Sequence, residues 1–102
     1  MEITLDQHGH LKHRNDWSPQ VAKELAIKDG LTLTEAHEVI INAVRDLYEE
    51  TGDTPPMRLL IKVLRQRIDE TIDSRHLYRL FPDGPVRYAS KYAGLPKPKH
   101  CM

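Results

Sequence analysis

Residues 97–101 read Lys-Pro-Lys-His-Cys, and Cys101 is the only cysteine in the 102-residue chain. The thiolate is the nucleophile in persulfide and disulfide chemistry, and neighbouring cations draw a thiol below its ordinary pKa of about 8.5. Lys97, Lys99 and His100 act in that direction. Free cysteine is among the most buried residue types, so a lone thiol is usually core packing. Here it follows Pro96, Lys97, Pro98 and Lys99, with no apolar run to cover it. Such a placement suits a sulfur nucleophile on an arm that takes a group from one protein and delivers it to another. The thiolate would attack a donor persulfide and keep the outer sulfur as a persulfide of its own. With one cysteine there is no internal thiol to discharge that cargo, and no intramolecular disulfide can form.

The arm needs a body to hold it, and the sequence punctuates one clearly. Ser18-Pro19 opens a helix, since Ser offers an N-cap oxygen and Pro takes the first helical position. Val21, Ala22, Leu25 and Ala26 give its apolar stripe, and Asp29-Gly30 stops it. Thr34 caps a second helix with Val39, Ile40, Ala43, Val44, Leu47 and Tyr48 at helical spacing, ended by Gly52. Thr54-Pro55 opens a third, with Met57, Leu60, Ile61, Leu64 and Ile68 inward. Asp73 caps a short fourth carrying Leu77, Tyr78, Leu80 and Phe81; Phe81-Pro82 ends it, because the residue before proline avoids the α region. Gly84-Pro85 starts a fifth that runs to Tyr92, with Gly94 as its C-cap candidate. Residues 2–13 alternate around Gly9 and predict a small β-hairpin, which must lean on the helices because two strands alone are marginal.

The expected fold is therefore mainly α (α+β): about five short helices, a helix-turn-helix-like pair, an amino-terminal hairpin and a carboxyl-terminal arm. Residues 1–93 form the helical domain and residues 94–102 a flexible arm bearing the reactive cysteine. Gly94, Pro96 and Pro98 position the arm, and beyond Gly94 the prolines favour polyproline II. From Gly94 to Cys101 it spans roughly 20 Å at about 3.1 Å per residue.

Composition removes several function classes. Fifteen Lys and Arg balance fifteen Asp and Glu, so no global field draws the chain onto nucleic acid. The balance is local as well as global: no acidic residue follows Asp83, whereas Arg87, Lys91, Lys97 and Lys99 do. That end is a basic patch suited to an acidic partner or RNA. The amino terminus lacks a signal-peptide pattern and no apolar stretch spans a bilayer, which predicts a cytoplasmic protein in a reducing compartment with no membrane partner. His8, His10 and His13 are close together, but Gly9 turns the chain between them and no cysteine or carboxylate pattern completes a ligand set, so no metal site is expected. His37 and His76 read as helix-surface or boundary residues. Residues 54–81 also admit a helix-turn-helix DNA-binding reading, with Arg58, Lys62, Arg65, Arg67, Arg75 and Arg79 on phosphates. Asp69, Glu70 and Asp73 in the connector oppose it, and it leaves Cys101 unexplained.

Three motifs taken together carry a resemblance: Leu77-Tyr78-Arg79-Leu80-Phe81-Pro82-Asp83-Gly84-Pro85, then Ala93-Gly94-Leu95-Pro96-Lys97-Pro98, then Cys101. Weaker agreement extends through Gly9-His10-Leu11, Asp16-Trp17, Val44-Arg45-Asp46-Leu47-Tyr48 and Pro56-Met57-Arg58-Leu59-Leu60. In these the chain resembles the TusE/DsrC family of sulfur-relay proteins over nearly its whole length. The resemblance implies a helical array with a small amino-terminal meander, shortened here, and a persulfide carried on Cys101. In the TusE branch it implies sulfur arriving from a TusBCD complex and leaving to a tRNA 2-thiouridylase, with no cofactor. The DsrC branch serves dissimilatory sulfite reductase and has a second cysteine eleven residues before the last; this chain has Ser90 there, which has no thiol redox chemistry. It also has Glu38 where the family usually has a tryptophan after the histidine of the second helix.

Overall fold

A computed structural model describes residues 4–7 and 9–96. Five helices succeed one another: α1 Pro19–Lys28, α2 Glu35–Thr51, α3 Met57–Arg67, α4 Ser74–Leu80 and α5 Pro85–Tyr92, preceded by one 3₁₀ turn at Arg14–Asp16. Their ends follow local chemistry. Ser18 Oγ accepts from Val21 N–H at 3.2 Å and Asp73 Oδ1 from His76 N–H at 3.0 Å, satisfying helix donors that have no intrahelical partner. The third helix begins at Met57, later than Thr54-Pro55 suggested. Two consecutive prolines explain the delay: each disfavours the α region in the residue before it, so helical geometry starts only after Pro56.

His37 corrects the sequence reading. It is buried, not a surface or boundary residue, and its Nδ1 accepts the Thr34 N–H at 3.0 Å while Nε2 lies 2.9 Å from Leu80 O. A backbone amide only donates and a carbonyl only accepts, so this pattern assigns the neutral Nε2–H tautomer. One ring thus closes the start of α2 and ties it to the end of α4, edge-on to Phe81 at 5.1 Å.

The core lies where α1, α2 and α5 meet, with α3 packed on α2 and α4 on α5. Leu25, Ile40, Val44, Leu60, Leu64, Leu77, Phe81 and Tyr92 are all buried there. Two residues expected on the inner stripes are outside, Val39 and Ile68 (51% exposed), and Tyr78 of α4 is 48% exposed. Ile41 takes the inward position assigned to Val39. Ile68 is already past the last turn of α3, and Tyr78 shares the outer face of α4 with Arg75 and Arg79.

The hairpin expected over residues 2–13 is reduced to one antiparallel bridge, Leu5 to Leu11, around a turn closed by Gly9 N–H to Asp6 O; no strand forms among the described residues. The chain there also serves the body. Leu11 and His10 are buried, and His10 reaches the far end of the sequence. Among the described residues no helix is long and apolar enough to cross a membrane.

Candidate functional site

The carboxyl end of α5 leaves orphan carbonyls, as every helix end does. Here side chains from three distant places take them. Trp17 Nε1–H donates to Tyr92 O at 2.7 Å, Arg45 Nη1 to Ala93 O at 2.6 Å, and His10 Nδ1 to Leu95 O at 2.9 Å. Leu95 N–H returns to Ser90 O at 3.0 Å. The Arg45 guanidinium also lies over the Trp17 ring, 3.9 Å from its centroid, so two of the three donors brace each other.

Gly94 sits at the centre of this clamp with φ +75°. A Cβ added there would meet Trp17 at 2.7 Å, so both the left-handed backbone and the indole face demand glycine. Gly94 and Leu95 are buried, Leu95 at 1% exposure, and only Pro96 is exposed. Gly94 and Leu95, where the arm was expected to begin, are packed against the body: Leu95 is buried, and three hydrogen bonds hold the pair, from His10 to Leu95 O, from Leu95 N–H to Ser90 O and from Gly94 N–H to Lys91 O. Pro96 is the last described residue of the positioning set. Lys97, Pro98, Lys99, His100 and Cys101 lie outside the described residues, as does His8 of the histidine cluster.

A second bond network locks α5 to α1. Lys91 Nζ and Tyr92 Oη both donate to Asp29 Oδ2, at 2.7 and 2.8 Å. Burial pushes the Asp29 carboxyl upward, but the hydrogen bonds from Lys91 and Tyr92 and the Lys91 charge outweigh it and hold it below its ordinary value. Burial, then the bond to Asp29, drives the Tyr92 hydroxyl strongly upward, so it stays a proton donor. A carboxyl depressed in the folded state stabilises above its unfolded value of about 3.9, and that stabilisation fades as pH falls through the folded one. Asp29→Asn is therefore expected to cost about 1 kcal/mol near neutrality. Urea titrations of both proteins between pH 7 and pH 2 should converge at the acid end; a constant gap would contradict this.

Ser90 is 0% exposed, and its Oγ has no hydrogen-bond partner among the described residues. An unsatisfied buried hydroxyl costs stability and alanine is the better helix former. Ser90→Ala should raise the unfolding free energy by about 0.5–1 kcal/mol, read as a shifted denaturation midpoint; a loss would point to a hidden partner for Oγ. Glu38, half-buried, lines a cleft of about 220 Å³ with Trp17, Pro19, Ala22, Ile41 and Asn42. Among the described residues no three His, Cys, Asp or Glu side chains are grouped to hold a metal, and the His10 ring is engaged with Leu95.

The sequence singled out Gly94 and Pro96 but missed the clamp that holds them. Trp17 and Arg45 appeared only as motif members and His10 otherwise only in a histidine cluster, and their partners lie 75, 48 and 85 residues away, where no local pattern reaches.

Comparison with known proteins follows the same features. The profile of the family described as DsrC like protein matches residues 1–102. "Sulfurtransferase TusE" of Sodalis glossinidius (strain morsitans) is 45% identical over 102 residues, covering 99% of this chain and 94% of that protein. The NMR structure of Allochromatium vinosum DsrC superposes with a TM-score of 0.89 at 43% identity, covering 100% of this chain and 92% of that one. The crystal structure of the oxidised gamma-subunit of the dissimilatory sulfite reductase (DsrC) from Archaeoglobus fulgidus gives 0.88 at 34%, covering 100% and 94%. A five-helix body of this kind, with these relatives, defines a small helical sulfurtransferase of the sulfur relay. The chain belongs to the DsrC-like protein family.

Proposed function

We propose that Cys101 is the sulfur-carrying residue. Its thiolate attacks the outer sulfur of a donor persulfide, a new S–S bond forms on Cys101, and the donor's S–S bond breaks with its electron pair leaving on the donor thiolate. No net oxidation occurs, and the reverse logic delivers the sulfur to an acceptor. Lys97, Lys99 and His100 favour the thiolate or meet partners, while Pro98 with Gly94 and Pro96 sets the direction of the segment. The observation that carries this reading is the clamp: four hydrogen bonds and a glycine-only contact fix the base from which residues 97–102 depart. From Pro96, Cys101 reaches about 15 Å in an extended polyproline-like path. An anchor so firmly built gives the thiol a defined origin and radius, which suits delivery into another protein's site.

The particular relay is the tRNA one, in the cytoplasm: a TusBCD-like complex supplies the sulfur and a tRNA 2-thiouridylase takes it for 2-thiouridine. Relatives named TusE and the serine at position 90 support this over the DsrC role in dissimilatory sulfur metabolism, which uses two thiols. Incubating the protein with a persulfidated donor and mapping the added sulfur by mass spectrometry tests it. A one-sulfur increment on the carboxyl-terminal peptide, absent in Cys101→Ser, is expected; uptake that survives the substitution would end the reading.

A further inference from the structure

The structure sorts the cations of α3 and α4 into engaged and free. Arg67 bridges Asp46 and Glu50, both at 3.5 Å, and Arg65 Nε donates to Ile72 O at 2.7 Å. Arg58, Lys62, Arg75 and Arg79 are exposed, and none pairs with a carboxylate among the described residues. Arg58 and Lys62 stand one turn apart on the outer stripe of α3, opposite buried Leu60 and Leu64. Arg75 and Arg79 do the same on α4, opposite buried Leu77. Tyr78, 48% exposed, lies on that same outer face of α4. Free cations alone are ordinary surface; an aromatic ring left in water among them has a second chemistry, since it can stack on an unpaired base.

We propose that the outer faces of α3 and α4 bind unpaired RNA, with Arg58, Lys62, Arg75 and Arg79 on phosphates and Tyr78 stacked on a base. This rests on the relay reading, in which the sulfur ends on a tRNA base, and supplies the contact that reading lacks. A DNA duplex fits less well. A recognition helix enters the major groove by its amino-terminal residues, and here that end follows Asp69, Glu70 and Asp73, whose charges face phosphate. The side of α4, not its tip, is the cationic surface.

Anisotropy titration of a fluorescein-labelled RNA hairpin with a uridine-containing loop, across about 50–200 mM salt, tests the proposal, with the same stem as DNA duplex and polyglutamate as competitors. Four phosphate contacts predict a log–log salt slope of about −3. Arg75→Gln with Arg79→Gln should flatten it by about 1.4. Tyr78→Ala should weaken binding about tenfold and Tyr78→Phe restore it, because stacking needs only the ring. Lys23→Gln, on exposed α1 surface, should change nothing. Equal or tighter binding of the duplex or polyglutamate, or unchanged RNA affinity in the α4 variants, overturns the proposal. Persulfide uptake on Cys101 in the same variants is read separately, so loss of RNA binding and failure of sulfur carriage are distinguishable.

Discussion

Gly94→Ala is expected to be among the most damaging single-methyl additions in this chain, lowering the unfolding free energy by about 2–5 kcal/mol. Two costs add. The left-handed backbone at φ +75° penalises any Cβ by about 1–2 kcal/mol. The new methyl would also sit 2.7 Å from Trp17, and the indole cannot retreat without giving up Tyr92 O and the stacked Arg45. Gly30 provides the control. Its φ is +81° but nothing lies within 4 Å of its would-be Cβ, so Gly30→Ala should cost only the backbone share, about 1–2 kcal/mol. Urea denaturation of both variants measures the difference. Equal losses would mean that the Trp17 contact yields freely and that the clamp is looser than its distances imply. Against a total stability of about 5–15 kcal/mol for a domain of this kind, the larger loss is enough to populate unfolded chains.

Trp17→Ala should separate positioning from reactivity. It removes the donor to Tyr92 O, the surface under Arg45 and the wall against Gly94, costing about 3 kcal/mol of stability for a half-buried tryptophan. Its larger effect is on sulfur handover. An origin that wanders by an ångström misaligns the reacting atoms, so transfer to a protein acceptor should slow by about tenfold or more. The reaction of Cys101 with a small thiol reagent needs no docking and should stay within about twofold of the native rate. Trp17→Phe keeps an aromatic face but loses the indole N–H and the second ring, so it should fall between native and alanine in both stability and transfer. Parallel loss of both reactivities in Trp17→Ala would mean that the tryptophan acts on the thiol's environment and not on its place.

Much of the body could be read from short-range chemistry. Ser18-Pro19, Thr34, Asp73 and Gly84-Pro85 each mark a helix start within a residue or two, because capping depends on neighbours in the chain. Periodicity misplaced Val39 and Ile68, since hydrophobic character cannot tell an inward position from an outward one at the edge of an apolar stripe or at a helix end. Of the hairpin expected over residues 2–13, the described residues show one antiparallel bridge, Leu5 to Leu11; that His10 beside it also reaches the far end of the chain had no local signal. His37 escaped because a histidine three residues into a helix is not the usual glutamate of a capping box. Of the candidate site, the glycine and prolines were legible as composition. The clamp was not, because its donors come from the amino-terminal turn, the entry to α1 and the middle of α2.

The closure of α5 by His10, Trp17 and Arg45 has a mechanical consequence. The segment from Tyr92 to Leu95 is tied at once to the amino-terminal turn, the entry to α1 and the middle of α2, so it is held by three separate bolts and not by a hinge. Displacing the end of α5 therefore means breaking contacts to three separate parts of the body.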